Sequence, residues 1–296
     1  MSAISDRQAR IKTLFDAHGF VVDDALMPKA WLDELRATTD ALLAAAPSNP
    51  EQAAFLDWEP QPDAQGRARV QRVRRPHALH PFFDRLARAD FILDAVEALI
   101  GPDIRLHHSK INIKAPHVGS PLEWHQDWAF IPHTHAGMAI VAICLDEVAE
   151  DNGPVLFLPG SHRGPLHDHH SEGAFFGAID PQTLPLDEAV HATGPAGMIS
   201  IHHPFVVHGS GFNRGTHDRR ILFYEYAAAD AWPLFYGVQW NEFNGRIVRG
   251  SPTCRARMEA LPVRMPYPTA AQGLGKIYDQ QQKFAKKYFV AKPEQA

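Results

Sequence analysis

The chain has 296 residues, 45% of them hydrophobic, with a formal net charge of −5. That is the make-up of a soluble globular protein with room for one large domain, and without a long Lys/Arg run it argues against nucleic acid or an anionic membrane as main partner. Two cysteines, Cys144 and Cys254, are too few for a disulfide framework, no uninterrupted apolar run spans a bilayer, and no basic-then-apolar leader opens the chain, so a cytoplasmic protein is expected.

Residues 1–101 read as mostly helical. Arg7 to His18 carries Ile11, Leu14 and Phe15 at helical spacing and stops at Gly19; Phe20 to Val22 follows as a short strand. Pro28 opens a helix with Trp31, Leu32, Leu35 and Leu42 on one side. Residues 47–66 hold four prolines and read as a loop, and the basic stretch 67–75 as a solvated strand or loop face. Phe82 to Ile100 reads as one amphipathic helix, ended by Gly101-Pro102. Residues 102–229 then read as strands. Leu106 to Lys114 alternates, placing His108, Lys110, Asn112 and Lys114 on one face. Met138 to Leu145 is a continuous apolar strand that buries Cys144, and Asn152-Gly153-Pro154 is a turn before Val155 to Leu158. The long segment 163–186 carries Phe175 and Phe176, which favours a lid over disorder. Gly197 to His203, Phe205 to His208 and Arg219 to Ala227 complete the strands, and residues 230–296 form an extension ending in a helix from about Leu274 to Lys287. Short strands with Gly/Pro turns predict a mainly β single domain, a jelly roll or barrel with flanking helices.

The chemistry sits in that strand-rich part. In a strand, residues i and i+2 share a face, so His125 and Asp127 can reach one ion with Gln126 turned away. A second histidine must come from another strand, and His208, before Gly209-Ser210, is the candidate. Two histidines and a carboxylate with open positions are the ligand pattern of non-heme Fe(II) oxygenases. Arg219 and Arg220 begin a β-like run and must face opposite sides; one of them can enter the barrel and grip a carboxylate with its planar fork, and periodicity does not choose which. His202, six residues before His208, would aim the same way along an unbroken strand, while His203, His107 and His162 read as structural or surface residues.

His125-Gln126-Asp127, the run Asn152 to His162 and His208-Gly209-Ser210-Gly211-Phe212-Asn213 together resemble the phytanoyl-CoA dioxygenase family, as does the opening Phe15 to Val22. The resemblance covers about residues 11–228; the last seventy add little. It implies a double-stranded β-helix (jelly roll, cupin-like) and an oxidoreductase that uses Fe(II), 2-oxoglutarate and dioxygen. Such an enzyme hydroxylates an unactivated C–H bond of a small molecule and releases succinate and CO2. It implies His125, Asp127 and His208 as metal-binding, catalytic residues, with Arg219 (eleven residues after the distal histidine) and Ser210 as 2-oxoglutarate ligands. Asn112 matches the co-substrate asparagine of the related ectoine hydroxylases, which puts Lys110 in the same cavity, near co-substrate or substrate. Related halogenases lack the carboxylate, so Asp127 implies hydroxylation or another oxidation. Trp128 is a candidate substrate wall or a core aromatic, and His135, with His133 and the His167/His169/His170 group, lies on loops beside the expected mouth. The alternative is a non-catalytic jelly roll that binds a metal or small ligand.

Overall fold

The computed structural model describes residues 5–24, 27–45, 48–234, 238–264 and 277–290. Helix α1 (Asp6–His18) begins at Ser5, whose side chain forms a reciprocal capping box with Gln8, and ends at Gly19 in the left-handed conformation. It is followed by β1 (Phe20–Asp23), α2 (Lys29–Ala45), α3 (Pro50–Ala53), β2 (Leu56–Trp58), β3 (Val70–Arg74), α4 (Pro76–Leu79), α5 (Pro81–Ala87) and α6 (Asp90–Ile100). The strand-rich part holds β4 (Ile104–Lys114), β5 (Leu122–His125), β6 (Met138–Cys144), β7 (Val155–Phe157), β8 (His170–Ser171), β9 (Ala174–Phe175), β10 (Val190–Ala192), β11 (Ile199–His202), β12 (His208–Ser210) and β13 (Arg219–Ala228). The chain closes with α7 (Trp240–Asn244), β14 (Ile247–Arg249) and α8 (Ile277–Gln281).

Two antiparallel sheets face each other. The larger runs β1-β11-β6-β13-β4-β3-β2, with β14 on β4, and the smaller runs β10-β7-β12-β5. This is the expected jelly roll. Strand alternation splits the larger sheet between two cores. Val141, Ile143, Ile111, Ile113 and Leu222 point outward and pack under α1, α2, α5 and α6 with Phe82, Leu86, Ile92 and Val96. Ile140, Ala142, Ile221 and Phe223 point inward and meet Val155 and Phe157 of the smaller sheet. β6 is buried on both faces, which is why its sequence is apolar without alternation. Each fully buried Phe, Leu or Ile contributes about 1.5–3 kcal/mol by removing apolar surface from water. Among the described residues no helix is long and apolar enough to cross a membrane.

Four expectations need correction. Residues 47–66 contain α3 and β2, because Leu56 is buried opposite Val73 and pulls the segment onto the sheet edge. The basic stretch that follows is not simply solvated: Arg69 pairs with Asp218, Arg72 pairs with Asp57, and Val73 is fully buried. The helix expected over 82–100 is two helices, since Ala89 is extended (φ −69°, ψ 133°). The carbonyls of Phe83 and Ala87 accept the buried hydroxyls of Tyr224 and Tyr226, at 2.7 and 2.8 Å, which fixes α5 to the sheet before the chain turns into α6. The C-terminal helix spans only Ile277–Gln281 before it gives way to turns, and residues 274–276 of that expectation lie outside the described residues.

Candidate active site

His125 ends β5, and Asp127 opens a single 3-10 turn. Gln126 between them is extended (φ −118°, ψ 129°), so the alternation holds for one more residue and both side chains enter the barrel. His208, on β12, is the direct cross-strand partner of His125, and their ring centroids are 4.1 Å apart. Asp127 Oδ1 lies 3.8 Å from His125 Nε2, and its Oδ2 lies 3.8 Å from His208 Nε2. One ligand atom from each of the three residues falls within 4.8 Å of the others. The rings are set for a metal. His125 Nδ1 pairs with the Glu123 carbonyl at 2.7 Å and His208 Nδ1 with the Val206 carbonyl at 3.1 Å, which leaves both Nε2 atoms for the ion. Burial alone would raise the Asp127 carboxyl, yet His208, His202 and Lys110 hold it well below the usual carboxylate range. The donor set and its open side fit Fe(II).

Gln126 is turned away, as alternation requires. Its amide donates to Phe205 O and Pro165 O, its Oε1 accepts from His167 N, and its own N–H donates to His169 Nε2 at 2.9 Å. The segment 163–186 is therefore tied to the turn that carries Asp127, and β8 and β9 form a hairpin within it. Gly153, in the turn before β7, is left-handed, and a Cβ there would come within 2.8 Å of Gly211 O. Only glycine lets that turn lie against the end of the strand that carries His208.

The cavity above these side chains is lined also by Lys110, Asn112, Ser210, Arg219, Phe223 and Tyr278. Arg219 is 2% exposed, and its Nε is buried with no hydrogen-bond partner among the described residues, as is Asn112 Oδ1. No carboxylate among the described residues pairs with Arg219, whereas Arg220 points outward to Asp146 and Asp40. A buried, uncompensated guanidinium is costly unless an anion joins it, so the arginine end of the cavity fits the far carboxylate of 2-oxoglutarate. Ser210 Oγ accepts from Lys114 Nζ at 2.8 Å, which leaves the hydroxyl hydrogen for a ligand. Burial, with Arg219 beside it, pulls the Lys114 ammonium well below its ordinary range. Lys110 pairs with Glu225 at 3.0 Å; burial opposes its charge, but Glu225 and Asp127 raise it above its ordinary value.

Two expected substrate contacts are not brought to this cavity. Trp128 is fully buried, stacks on Phe205 at 4.7 Å, and donates from Nε1 to Pro262 O at 3.0 Å. It lines a neighbouring cavity with His167, His169 and His170. The ring of His135 is held by Asp230 at 2.8 Å and Arg257 at 2.7 Å, so it lines neither. Two further side chains reach the cavity by routes that the sequence reading did not give. His202 comes from β11 in the other sheet, not from a strand continuous with His208, and its Nε2 meets Asp127 Oδ2 at 3.0 Å. Tyr278 arrives from α8, beyond residues 11–228 that the family resemblance covers.

The family model described as phytanoyl-CoA dioxygenase matches residues 15–221, which takes in every ligand candidate. The chain belongs to the phytanoyl-CoA dioxygenase family. A probable alpha-ketoglutarate-dependent hypophosphite dioxygenase of Stutzerimonas stutzeri is 41% identical over 226 residues, 74% of this chain and 78% of that protein. L-proline trans-4-hydroxylase of Streptomyces griseoviridis is 31% identical over 180 residues, 52% of this chain and 67% of its own length. The crystal structure of EctD from S. alaskensis with bound Fe superposes with a TM-score of 0.66 at 24% identity, covering 86% of this chain and 88% of that one, a likeness of fold. As a member of this family the chain is a 2-oxoglutarate-dependent dioxygenase that uses Fe(II) and dioxygen.

Proposed function

We propose that His125, Asp127 and His208 hold the iron, that Arg219, Asn112 and Ser210 seat 2-oxoglutarate, and that Lys110 receives a small oxyanion substrate whose X–H bond is hydroxylated. The observation that carries this is the cavity itself: it gathers the three ligand candidates, a buried arginine with no carboxylate partner among the described residues, and Lys110, close enough to Asp127 for each to shift the other. The bound iron and co-substrate supply the oxidising power, with succinate and CO2 as products. The chain's own residues do the rest. Val206 O and Glu123 O fix the imidazole tautomers, Arg219 fixes the co-substrate's orientation, and Val155, Phe223 and Ile140 keep the site apolar around the reacting bond. Glu225 balances Lys110 until an anionic substrate takes its place.

The substrate class draws support from the 41%-identical relative, which is named for hypophosphite. Hypophosphite carries P–H bonds and no carbon, and the proline relative is named for a carbon hydroxylation, so both bond types belong in the test. Residues 102–229 form the catalytic jelly roll in this reading, with 1–101 and 230–296 completing a single domain, and its two free cysteines suit a reducing cytoplasm. A succinate-release screen over small phosphorus oxyanions and amino acids tests the substrate class. One or more oxyanions should drive succinate formation in wild type, and Lys110→Met should raise the KM for them at least about 10-fold. Turnover with neutral substrates only, or an unchanged KM in Lys110→Met, would remove the oxyanion from the account.

A further inference from the structure

One wall of the cavity does not come from the barrel. Tyr278 of α8 lines the cavity beside Arg219, Asn112 and Ser210 and is 3% exposed. Among the described residues no hydrogen bond engages its hydroxyl, and Tyr278 also lines a second cavity, with Glu123 and Phe289. Tyr278 is therefore shared between the active-site cavity and a second one. Its position is built. Gln281, one turn on, accepts from Glu123 N at 2.8 Å and donates to Gly177 O at 2.7 Å. Glu123 Oε2 accepts the backbone N–H groups of Tyr288 and Phe289, at 2.8 and 3.3 Å. Phe289 stacks on Trp124 with centroids 5.9 Å apart and reaches Gly209. Residues 277–290 are thus strapped across β5 and β12, the two strands that carry the histidine ligands.

We propose that Tyr278 is a co-substrate-binding residue, its hydroxyl donating to the far carboxylate of 2-oxoglutarate alongside Arg219, with residues 277–290 closing that end of the cavity. This rests on Arg219 being the seat of that carboxylate. A carboxylate offers about four lone-pair positions over two oxygens. The fork of Arg219 takes two and the Ser210 hydroxyl a third, which leaves one for a further donor, and Tyr278 lies close enough to Arg219 for the two to interact. Burial pushes the phenol up to about 12, against the pull of Arg219, so it is protonated at neutral pH and donates. A hydrogen bond to an ionised acceptor out of water is among the stronger ones.

The test is anaerobic calorimetric titration of the Fe(II)-loaded full chain with 2-oxoglutarate and with 2-oxovalerate, which has a methyl group where the far carboxylate would be. Wild type, Tyr278→Phe and Arg219→Gln are compared. Tyr278→Phe keeps the ring, and its melting temperature checks that the strap stays docked. The expected result is a 2-oxoglutarate Kd weakened about 10-fold in Tyr278→Phe, with the 2-oxovalerate Kd unchanged within about 2-fold. A normal 2-oxoglutarate Kd in Tyr278→Phe, beside a large loss in Arg219→Gln, overturns the role of Tyr278 and leaves Arg219 in place. Equal weakening of both keto acids in Tyr278→Phe assigns the tyrosine to packing and also overturns it. Normal binding by both variants removes the Arg219 seat itself.

Discussion

Arg219 and Arg220 are chain neighbours with opposite fates, because the pleat sends one into the barrel and the other out to Asp146 and Asp40. Arg219→Gln is predicted to weaken 2-oxoglutarate binding at least about 100-fold, since a charge-assisted pair in a dry site is lost. Arg220→Gln should bind the co-substrate normally and lose about 2 kcal/mol of stability in urea denaturation, because Asp146 loses its partner. If the two effects are exchanged, the register of β13 is wrong. His202→Leu removes the 3.0 Å partner of Asp127 and should weaken Fe(II) affinity about 10- to 100-fold, read by competition with a metal indicator; unchanged affinity would make His202 a bystander. The sequence made part of this site readable. Alternation alone put Lys110 and Asn112 on one face and paired His125 with Asp127, because the period of a strand is a local property. It could not choose between Arg219 and Arg220, since either fits the period. It also could not find the path of His202, which reaches Asp127 across two sheets.

Elements were legible where the local pattern had one partner and illegible where distant partners decided. β6 and β4 lie where their sequences put them. The 82–100 helix was read as continuous because its apolar stripe is continuous; its break is imposed by two tyrosine hydroxyls from β13, about 140 residues away. Tyr224→Phe and Tyr226→Phe should each cost about 1 kcal/mol of stability and leave co-substrate binding intact. A loss above about 3 kcal/mol, or a changed Kd, would mean that α5 does more than brace the sheet. The segment 163–186 is joined to the site by Gln126, through a link that no spacing rule announces.

The stability of the molecule as a whole depends on pH through buried histidines that stay neutral in the folded state. Burial first, then the neighbouring Arg75, lowers His77 to about 4; burial together with His107 lowers His133 to about 3, and burial together with His162 lowers His203 to about 3. The unfolded chain takes up these protons near pH 6.5 while the folded chain refuses them until about pH 3–4. Between those limits the unfolded state binds more protons, so stability falls as pH falls, by up to about 1.4 kcal/mol per pH unit for each histidine. Urea denaturation of the metal-free protein should show a lower midpoint at pH 5 than at pH 7; an equal or higher midpoint contradicts this. At the same scale, two sheets and a C-terminal strap converge on one ion and one keto acid, and absorbance tests that convergence most directly. Wild-type protein given Fe(II) and 2-oxoglutarate without oxygen should develop a visible charge-transfer band, and Asp127→Ala should show little or none. No band in wild type, or an undiminished band in Asp127→Ala, would contradict the assignment of His125, Asp127 and His208 as the iron site.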